Sequence, residues 1–479
     1  MLTLTDLFCG AGGSSTGAIA VPGVAVRMAV NHWRLAVETH HSNHPTTDHA
    51  CVDISQVDPR LFPRTDLLWA SPSCTNHSVA RGRSRAADSQ PDLFGEILPS
   101  EAAERSRATM WDVVRFAEHH CYRGIIVENV VDAAKWVMWP AWLQALELLG
   151  YRYHVVYLNS MHAQACGDPA PQSRDRLYVV AWRAGDLAPD FDRWTRPRAW
   201  CPGCDREIAA VQAWKNPVRR WGRYRAQYMW RCPKVACRNS IVEPAWLPAA
   251  TAIDWSLRGE RIGDRCKPLA DKTIARIKAG LERFAADPAL LVPTGGTRRD
   301  SAAPLSLPMA TRTTTENDAL LIPVEGRDGL TARPAAEPMR TMTTRSETAL
   351  LVPSYRNGAA RPVTQPHGAL TTLDRHVFVV PLRNHNTAKP VSEPLDTIAA
   401  AGNHHGLATM SENVADCEFR MLEPREIARA MAFDTQYVIL GNRREQVRQA
   451  GNAVTPPAAR DLVSALAEAL GHDMSAVAA

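Results

Sequence analysis

Short apolar runs alternating with helix-compatible stretches constrain the first 185 residues more than any other feature. The runs are LTLTDLF (2–8), AVRMAV (25–30), DLLWAS (66–71), GIIVENV (124–130), YRYHVVYL (151–158) and RLYVVAW (176–182). Each is of strand length and rich in β-branched or large apolar residues. Between them, 101–120 and 136–149 carry helix-like patterns. This alternation predicts an α/β domain with a parallel sheet and helices on both faces. It does not by itself choose a function.

The 479 residues suit two or three domains. After residue 185 the pattern changes. Proline and threonine rise, and helical periodicity fades beyond about residue 286. Four apolar lines recur: ALLVP (289–293), ALLIP (319–323), ALLVP (349–353) and VFVVP (377–381), spaced by 30, 30 and 28 residues. Each is followed by two prolines four apart: Pro304 and Pro308, Pro334 and Pro338, Pro362 and Pro366, Pro390 and Pro394. Each unit reads as one short strand with a turn-rich return, and stacking would bury faces that a single unit leaves open. Helical periodicity returns in EPREIARAMAF and ARDLVSALAEAL after residue 419. The expected division is 1–185, 186–288, 289–418 and 419–479, the last completing the first.

The start, MLTLTDLFCGAGG, lacks the basic and apolar regions of a signal peptide, and no apolar run reaches membrane-spanning length. The expectation is a cytoplasmic protein without membrane association. In a reducing compartment the eleven cysteines read as catalytic or metal-binding rather than as disulfides.

Four segments carry candidate chemistry. DLFCGAGGSSTG (6–17) follows the first apolar run, where glycines permit a tight turn and close backbone approach to a nucleotide-like ligand. Plain turns use glycine as well. TDLLWASPSCTNHS (65–78) places Cys74 in a loop after an apolar run, where a thiolate could be accessible. A lone cysteine is more often a small buried residue. Glu128 ends the run GIIVENV, a position suited to an acid or hydrogen-bonding group. In PQSRDRLYVV, Arg174 and Arg176 stand two apart and would share a strand face, aimed at a phosphate or carbonyl oxygen.

Together these segments resemble the DNA cytosine C5-methyltransferase family. DLFCGAGG is similar to its cofactor loop. ENV and the Gln-x-Arg-x-Arg pattern of Gln172–Arg176 are similar to later catalytic motifs, and FRMLEPREIARAMAF (419–433) and GNAVTPPAA (451–459) to the last two. The resemblance covers about 1–185 and 419–479. It implies a Rossmann-like S-adenosylmethionine-dependent methyltransferase domain, with a smaller target-recognition domain inserted between its parts. That insert would hold a zinc-ribbon-like element and the four β-rich repeats.

The same resemblance implies the roles. Cys74 would attack carbon 6 of a flipped-out cytosine, Glu128 would hold or protonate N3, and Arg176, with Arg174 nearby, would bind the base carbonyl. Phe8, Gly10, Gly12 and Gly13 would hold S-adenosylmethionine, with Asn31 at the ribose, Asp53 and Ile54 near the adenine, and Asn452 closing the pocket. Two positions depart from the family pattern. Ser73 stands where proline usually precedes the nucleophile, which leaves that loop less stiff. Asn31 stands where an acidic residue usually grips the ribose, a weaker acceptor that implies modest cofactor affinity.

Cys201 and Cys204, then Cys232 and Cys237 after 27 intervening residues, have nearly the spacing of a four-thiolate structural zinc site. Residues 192–238 hold twelve Arg or Lys against three Asp or Glu, with seven Trp or Tyr. That mixture suits phosphate contact and base stacking, so Arg219, Arg220, Arg223 and Arg225 are candidate DNA contacts. Arg81, Arg83 and Arg85, after the candidate nucleophile, are others. The expected partner is double-stranded DNA and the expected state a monomer. A companion restriction endonuclease stays open, as do an RNA cytosine methyltransferase and an inactive DNA-binding homologue.

Overall fold

The computed structural model describes residues 1–72, 90–91, 97–98, 101–271, 273–275, 277–278, 290–292, 303–304, 309–310, 319–323, 377–381, 405–409 and 414–474. Its centre is a seven-stranded sheet of β1 (Leu2–Leu7), β2 (Val24–Asn31), β3 (Asp48–Cys51), β4 (Leu67–Ala70), β5 (Gly124–Val130), β6 (Tyr151–Asn159) and β7 (Asp175–Arg183). The spatial order is β3-β2-β1-β4-β5-β7-β6. Neighbours from β3 to β5 run parallel, whereas β7 is antiparallel to both β5 and β6.

The sheet is therefore mixed rather than wholly parallel. A parallel return needs a crossover of a dozen or more residues, usually a helix. The connection between β6 and β7, residues 160–174, holds no such helix, only the one-turn segment Ser160–His162 and the two-residue strand Gln172–Ser173. The chain returns antiparallel and places β7 between β5 and β6. The strand β3 had no apolar signature, because DHAC lies at the sheet edge with both ends exposed.

Side chains alternate across this sheet, as the pleat requires. Leu68, Ala70, Ile125, Val127, Leu177 and Val179 face one core, against α3 (Glu101–His120) and α4 (Trp139–Leu148). Leu67, Trp69, Ile126, Tyr178 and Val180 face another, shared with α1 (Gly13–Ile19). Into that second core the C-terminal helix α8 (Pro456–Ala469) inserts Leu462, Val463 and Leu466. Proline at its first turn suits a helix start, where the missing N–H is not needed.

Strand order reverses around β1, whose neighbours are β2 on one side and β4 on the other. In open α/β sheets such a switch point leaves a crevice at the strands' carboxyl ends, the usual ligand position. The Gly-rich turn leaves β1 there.

A second, antiparallel sheet contains Leu290–Val292, Ala319–Pro323, Val377–Pro381, His405–Thr409 and Cys417–Met421. Three of the four recurring apolar lines supply strands to it, and the line at 349–353 lies outside the described residues. The strands do not follow one another in chain order. Leu291 pairs with Val379, while Ala319–Pro323 pairs with Cys417–Met421. Among the described residues no helix is long and apolar enough to cross a membrane.

Candidate active site

The Gly-rich turn begins from a buried carboxyl. Asp6 on β1 accepts hydrogen bonds from Ser14 Oγ and Ser15 Oγ, each at 2.6 Å. Burial pushes its carboxyl up to about 7 despite those bonds. Phe8, Gly10 and Gly12 follow with φ of 61°, 53° and 92°. A left-handed phenylalanine is strained backbone, a feature that gathers at ligand sites. Gly13 answers a different need. A Cβ there would run into the carbonyl oxygen of Val454, so glycine lets the turn seat directly on the C-terminal segment. Tyr437 adds a second tie, its hydroxyl donating to Ala11 O.

Beside this turn, Ser71 N donates to Leu7 O at 3.1 Å, so the segment after β4 leaves the sheet next to Phe8. The sulfur-bearing position Cys74 lies two residues past the last described residue of this stretch, Pro72, and outside the described residues. Pro72 itself is held. Asn129 Nδ2 donates to its carbonyl at 3.3 Å, while Asn129 Oδ1 accepts from Val130 N at 2.8 Å. Asn129 is the middle residue of ENV, and its position there is the one sequence signal that could have marked it.

Glu128 and Arg176 meet across adjacent strands. Arg176 Nε lies 2.8 Å from Glu128 Oε1, and both side chains are nearly buried. Arg174 does not join them. It precedes β7, and its guanidinium turns to the C-terminal segment, donating to Gly451 O at 3.2 Å and Ala453 O at 3.0 Å. The i, i+2 spacing suggested a shared face, but that rule applies only inside a strand, and β7 begins at Asp175.

The other expected cofactor positions differ in burial. Asn31 ends β2 buried, its Oδ1 accepting from Trp33 N at 2.9 Å. Asp53 is exposed and caps a short turn through Ser55 N. Ile54 is buried in the core. Asn452 is exposed at the end of α7 (Arg443–Asn452). Behind the turn lies a histidine cluster that no motif announced. His40 is buried, within 2.9 Å of Ser15 Oγ and 2.8 Å of His49 Nε2. Burial, then the neighbouring histidines, lowers His40 to about 2 and His44 to about 4.

The four cysteines converge. Their sulfurs lie within 4.8 Å of one another, with Cys201–Cys237 at 3.7 Å and Cys204–Cys232 at 3.8 Å. A tetrahedral zinc with Zn–S of about 2.3 Å requires sulfur separations of roughly 3.8 Å. The donor set and its spread therefore fit zinc, and the separations are far too long for disulfides. Gly203 makes the approach possible, since a Cβ there would lie 2.8 Å from Cys237 Cβ.

Between the two cysteine pairs runs a hairpin of β10 (Val211–Trp214) and β11 (Tyr228–Arg231); β8 (Arg198–Cys201) and β9 (Arg206–Ala209) precede it. Its candidate DNA-contacting arginines divide. Arg223 pairs with Asp132 and Arg225 with Glu243, whereas Arg219 and Arg220 are exposed. Arg81, Arg83 and Arg85 lie outside the described residues. Tryptophans divide too: Trp194 and Trp230 are buried, while Trp200 is exposed.

The family model described as C-5 cytosine-specific DNA methylase matches residues 2–196 and 340–468, well over half of the chain. The type II methyltransferase M.NlaX of Neisseria lactamica is 28% identical over 188 residues, 39% of this chain and 54% of that protein. M.HgiDI of Herpetosiphon aurantiacus, also a type II methyltransferase, is 27% identical over 189 residues, 38% and 53% of the two chains. The chain thus spans about half the length of the curated relatives it matches. Among solved structures, S. pombe Dnmt2 methyltransferase superposes with a TM-score of 0.48 at 14% identity, over 98% of this chain and 100% of that one.

Proposed function

Since the chain belongs to the C-5 cytosine-specific DNA methylase family, we propose that it methylates carbon 5 of cytosine in double-stranded DNA through a covalent adduct on Cys74. The observation that carries this reading is the Glu128–Arg176 pair at the sheet's switch-point edge, with Asn129 tying down Pro72, two residues before Cys74.

The chemistry divides among this chain's own groups. The Cys74 thiolate adds to carbon 6 of the extruded base, and the displaced electron pair moves toward N3 and the ring carbonyl. Glu128 holds the proton at N3, and Arg176 neutralises charge at the carbonyl oxygen while fixing the carboxyl's orientation. Carbon 5 becomes nucleophilic as a result. Loss of its proton and expulsion of the Cys74 thiolate restore the aromatic ring, so one difficult substitution becomes a series of easier steps. When bound, S-adenosylmethionine supplies an electrophilic methyl group. Phe8, Gly10, Gly12 and Gly13 would hold it, with Asn31, Asp53 and Ile54 along the crevice and Asn452 at its rim. The left-handed backbone at Phe8, Gly10 and Gly12 and the switch-point position are what support this assignment. Arg174 acts as a tie for the C-terminal segment rather than on the base.

Residues 186–418 are proposed as the target-recognition domain, combining the cysteine-paired hairpin with the recurring strands of the antiparallel sheet. Cys201, Cys204, Cys232 and Cys237 would hold a structural zinc, four sulfurs leaving no open position. Arg219 and Arg220 remain as proposed DNA-backbone contacts on the hairpin, with Arg81, Arg83 and Arg85 proposed as further contacts after Cys74 in sequence. By the names of the relatives, the proposed setting is a restriction–modification system.

The test is trapping on DNA carrying 5-fluorocytosine, with tRNA assayed in parallel. The wild-type chain should stay covalently attached to the DNA, and Cys74→Ser should not. Attachment to RNA alone would overturn the DNA assignment, and full turnover by Cys74→Ser would overturn the nucleophile.

A further inference from the structure

The hairpin between the two cysteine pairs was expected to face DNA, yet its tip is fastened to the catalytic edge of the sheet. Trp221 Nε1 donates to Val131 O at 2.9 Å, three residues beyond Glu128. Arg223 Nη2 lies 2.5 Å from Asp132 Oδ2, and Lys135 Nζ lies 2.9 Å from the other oxygen of that carboxylate. The same Lys135 ammonium sits 4.1 Å over the Trp221 ring. On the neighbouring strand, Tyr224 N donates to Asp175 Oδ1 at 3.0 Å, and Arg176 Nη1 donates to the Asp175 carbonyl at 3.0 Å. One short stretch, 221–224, thus grips the residues just after Glu128 and just before Arg176.

Asp132 is almost fully buried in this arrangement. A buried carboxylate is costly unless paired, and here a hairpin cation and a sheet-side cation share it. Removing Arg223 leaves the carboxylate paired with Lys135 alone and cuts the ionic link between hairpin and sheet, whereas removing the carboxylate leaves two cations without their shared anion. Two elements that each end at the Glu128–Arg176 pair are held by one external part. Small misplacement of such a pair lowers rate far more than binding, by up to about a hundredfold for roughly 1 Å.

We propose that the 221–224 tip is a positioning clamp for the Glu128–Arg176 pair, with Arg223 and Trp221 acting through Asp132 and Val131 and not through DNA phosphate. The proposal rests on the methyltransferase reading above. It gives the cysteine cluster a second consequence: closing the hairpin's base holds the clamp in register with the active site.

The experiment compares Arg223→Ala, Arg223→Lys and Trp221→Phe with wild type, the last removing the indole N–H while keeping a smaller aromatic ring. For each, kcat, KM for DNA, the DNA Kd with its salt dependence, zinc content and melting temperature are measured. The expected result is a kcat loss of about tenfold or more for Arg223→Ala, with partial recovery in Arg223→Lys. Kd and its salt slope should move less than about twofold, and Asp132→Asn combined with Arg223→Ala should be little worse than Arg223→Ala alone. Trp221→Phe, with an unchanged melting temperature as the check on its fold, should lower kcat in the same sense. Unchanged kcat with a weaker Kd and a salt slope reduced by about one charge would overturn the clamp and restore Arg223 as a phosphate contact. Unchanged kcat and Kd together would overturn it as well. A wild-type chain that neither methylates nor traps on 5-fluorocytosine DNA would overturn the methyltransferase reading, and the clamp with it; an active wild type isolates failure to the clamp.

Discussion

Replacing Arg174 with alanine removes a guanidinium that is only 2% exposed and that donates to two carbonyls of the C-terminal segment, Gly451 O and Ala453 O. Each buried acceptor left without a donor costs about 1–3 kcal/mol, so two place about 2–6 kcal/mol at risk. Part of that is offset, because the variant no longer has to bury a cation. Water entering the vacated space would supply some replacement bonding. A net loss of about 2–4 kcal/mol is the expectation, which corresponds to roughly 5–12 °C in melting temperature for a domain of this size. The loss should reach the cofactor turn, since Gly13 packs on Val454 in the same segment. The assay is calorimetric melting with and without S-adenosylmethionine, beside Arg174→Lys and Arg176→Ala. Lysine can satisfy one carbonyl and should fall between, while Arg176→Ala should lose turnover with a smaller change in melting. An Arg174→Ala protein that melts within about 1 °C of wild type yet has lost turnover would refute the tie and return Arg174 to the chemistry.

Glu128→Gln should lower kcat by about 10²–10⁴ while DNA binding persists, because the amide can still accept from Arg176 but cannot transfer a proton; steady-state kinetics with retained turnover would contradict this. Gly13→Ala should cost several-fold in S-adenosylmethionine affinity and lower the melting temperature, since its Cβ meets backbone that cannot swing aside. Calorimetric titration that leaves cofactor Kd unchanged would count against the close seat of the turn on Val454. The pH response should separate two buried groups of opposite sign. Burial raises Asp6 to about 7, so its contribution to stability is present at low pH and fades as pH rises through that value. Burial lowers His44 to about 4, so its stability is full above about pH 6.5 and is lost as pH falls toward 4. In the wild type the two partly cancel between pH 7 and 5. Asp6→Asn removes one side and should steepen the acid loss by about 2 kcal/mol over that interval, measured by denaturant unfolding. Parallel slopes for the two proteins would exclude this account of Asp6.

Much of the fold was readable because its strands are buried on both faces and therefore apolar along their length. The runs at 2–8, 124–130 and 176–182 match β1, β5 and the body of β7, and the helix at 101–120 has the extent its periodicity predicts. Asp48–Cys51 escaped because an exposed edge strand need not be apolar. Strand direction escaped as well, since it depends on whether the β6–β7 connection forms a crossover helix, and residues 160–174 form none. The candidate site was partly legible for the same reason: Glu128 and Arg176 stood out by their positions at the ends of apolar runs, and they lie 2.8 Å apart.

Residue types and local spacing are properties of the chain alone, so the alternating runs, the Gly-rich turn and the paired cysteines could be found without coordinates. What a charged side chain touches depends on partners far away in sequence. Arg174 meets residues 277 and 279 positions later, and Arg223 meets Asp132, 91 positions earlier. Only the tertiary structure could divide these arginines into ties, clamp and exposed surface, because a guanidinium's role is set by whichever carbonyl, carboxylate or solvent the packing brings to it.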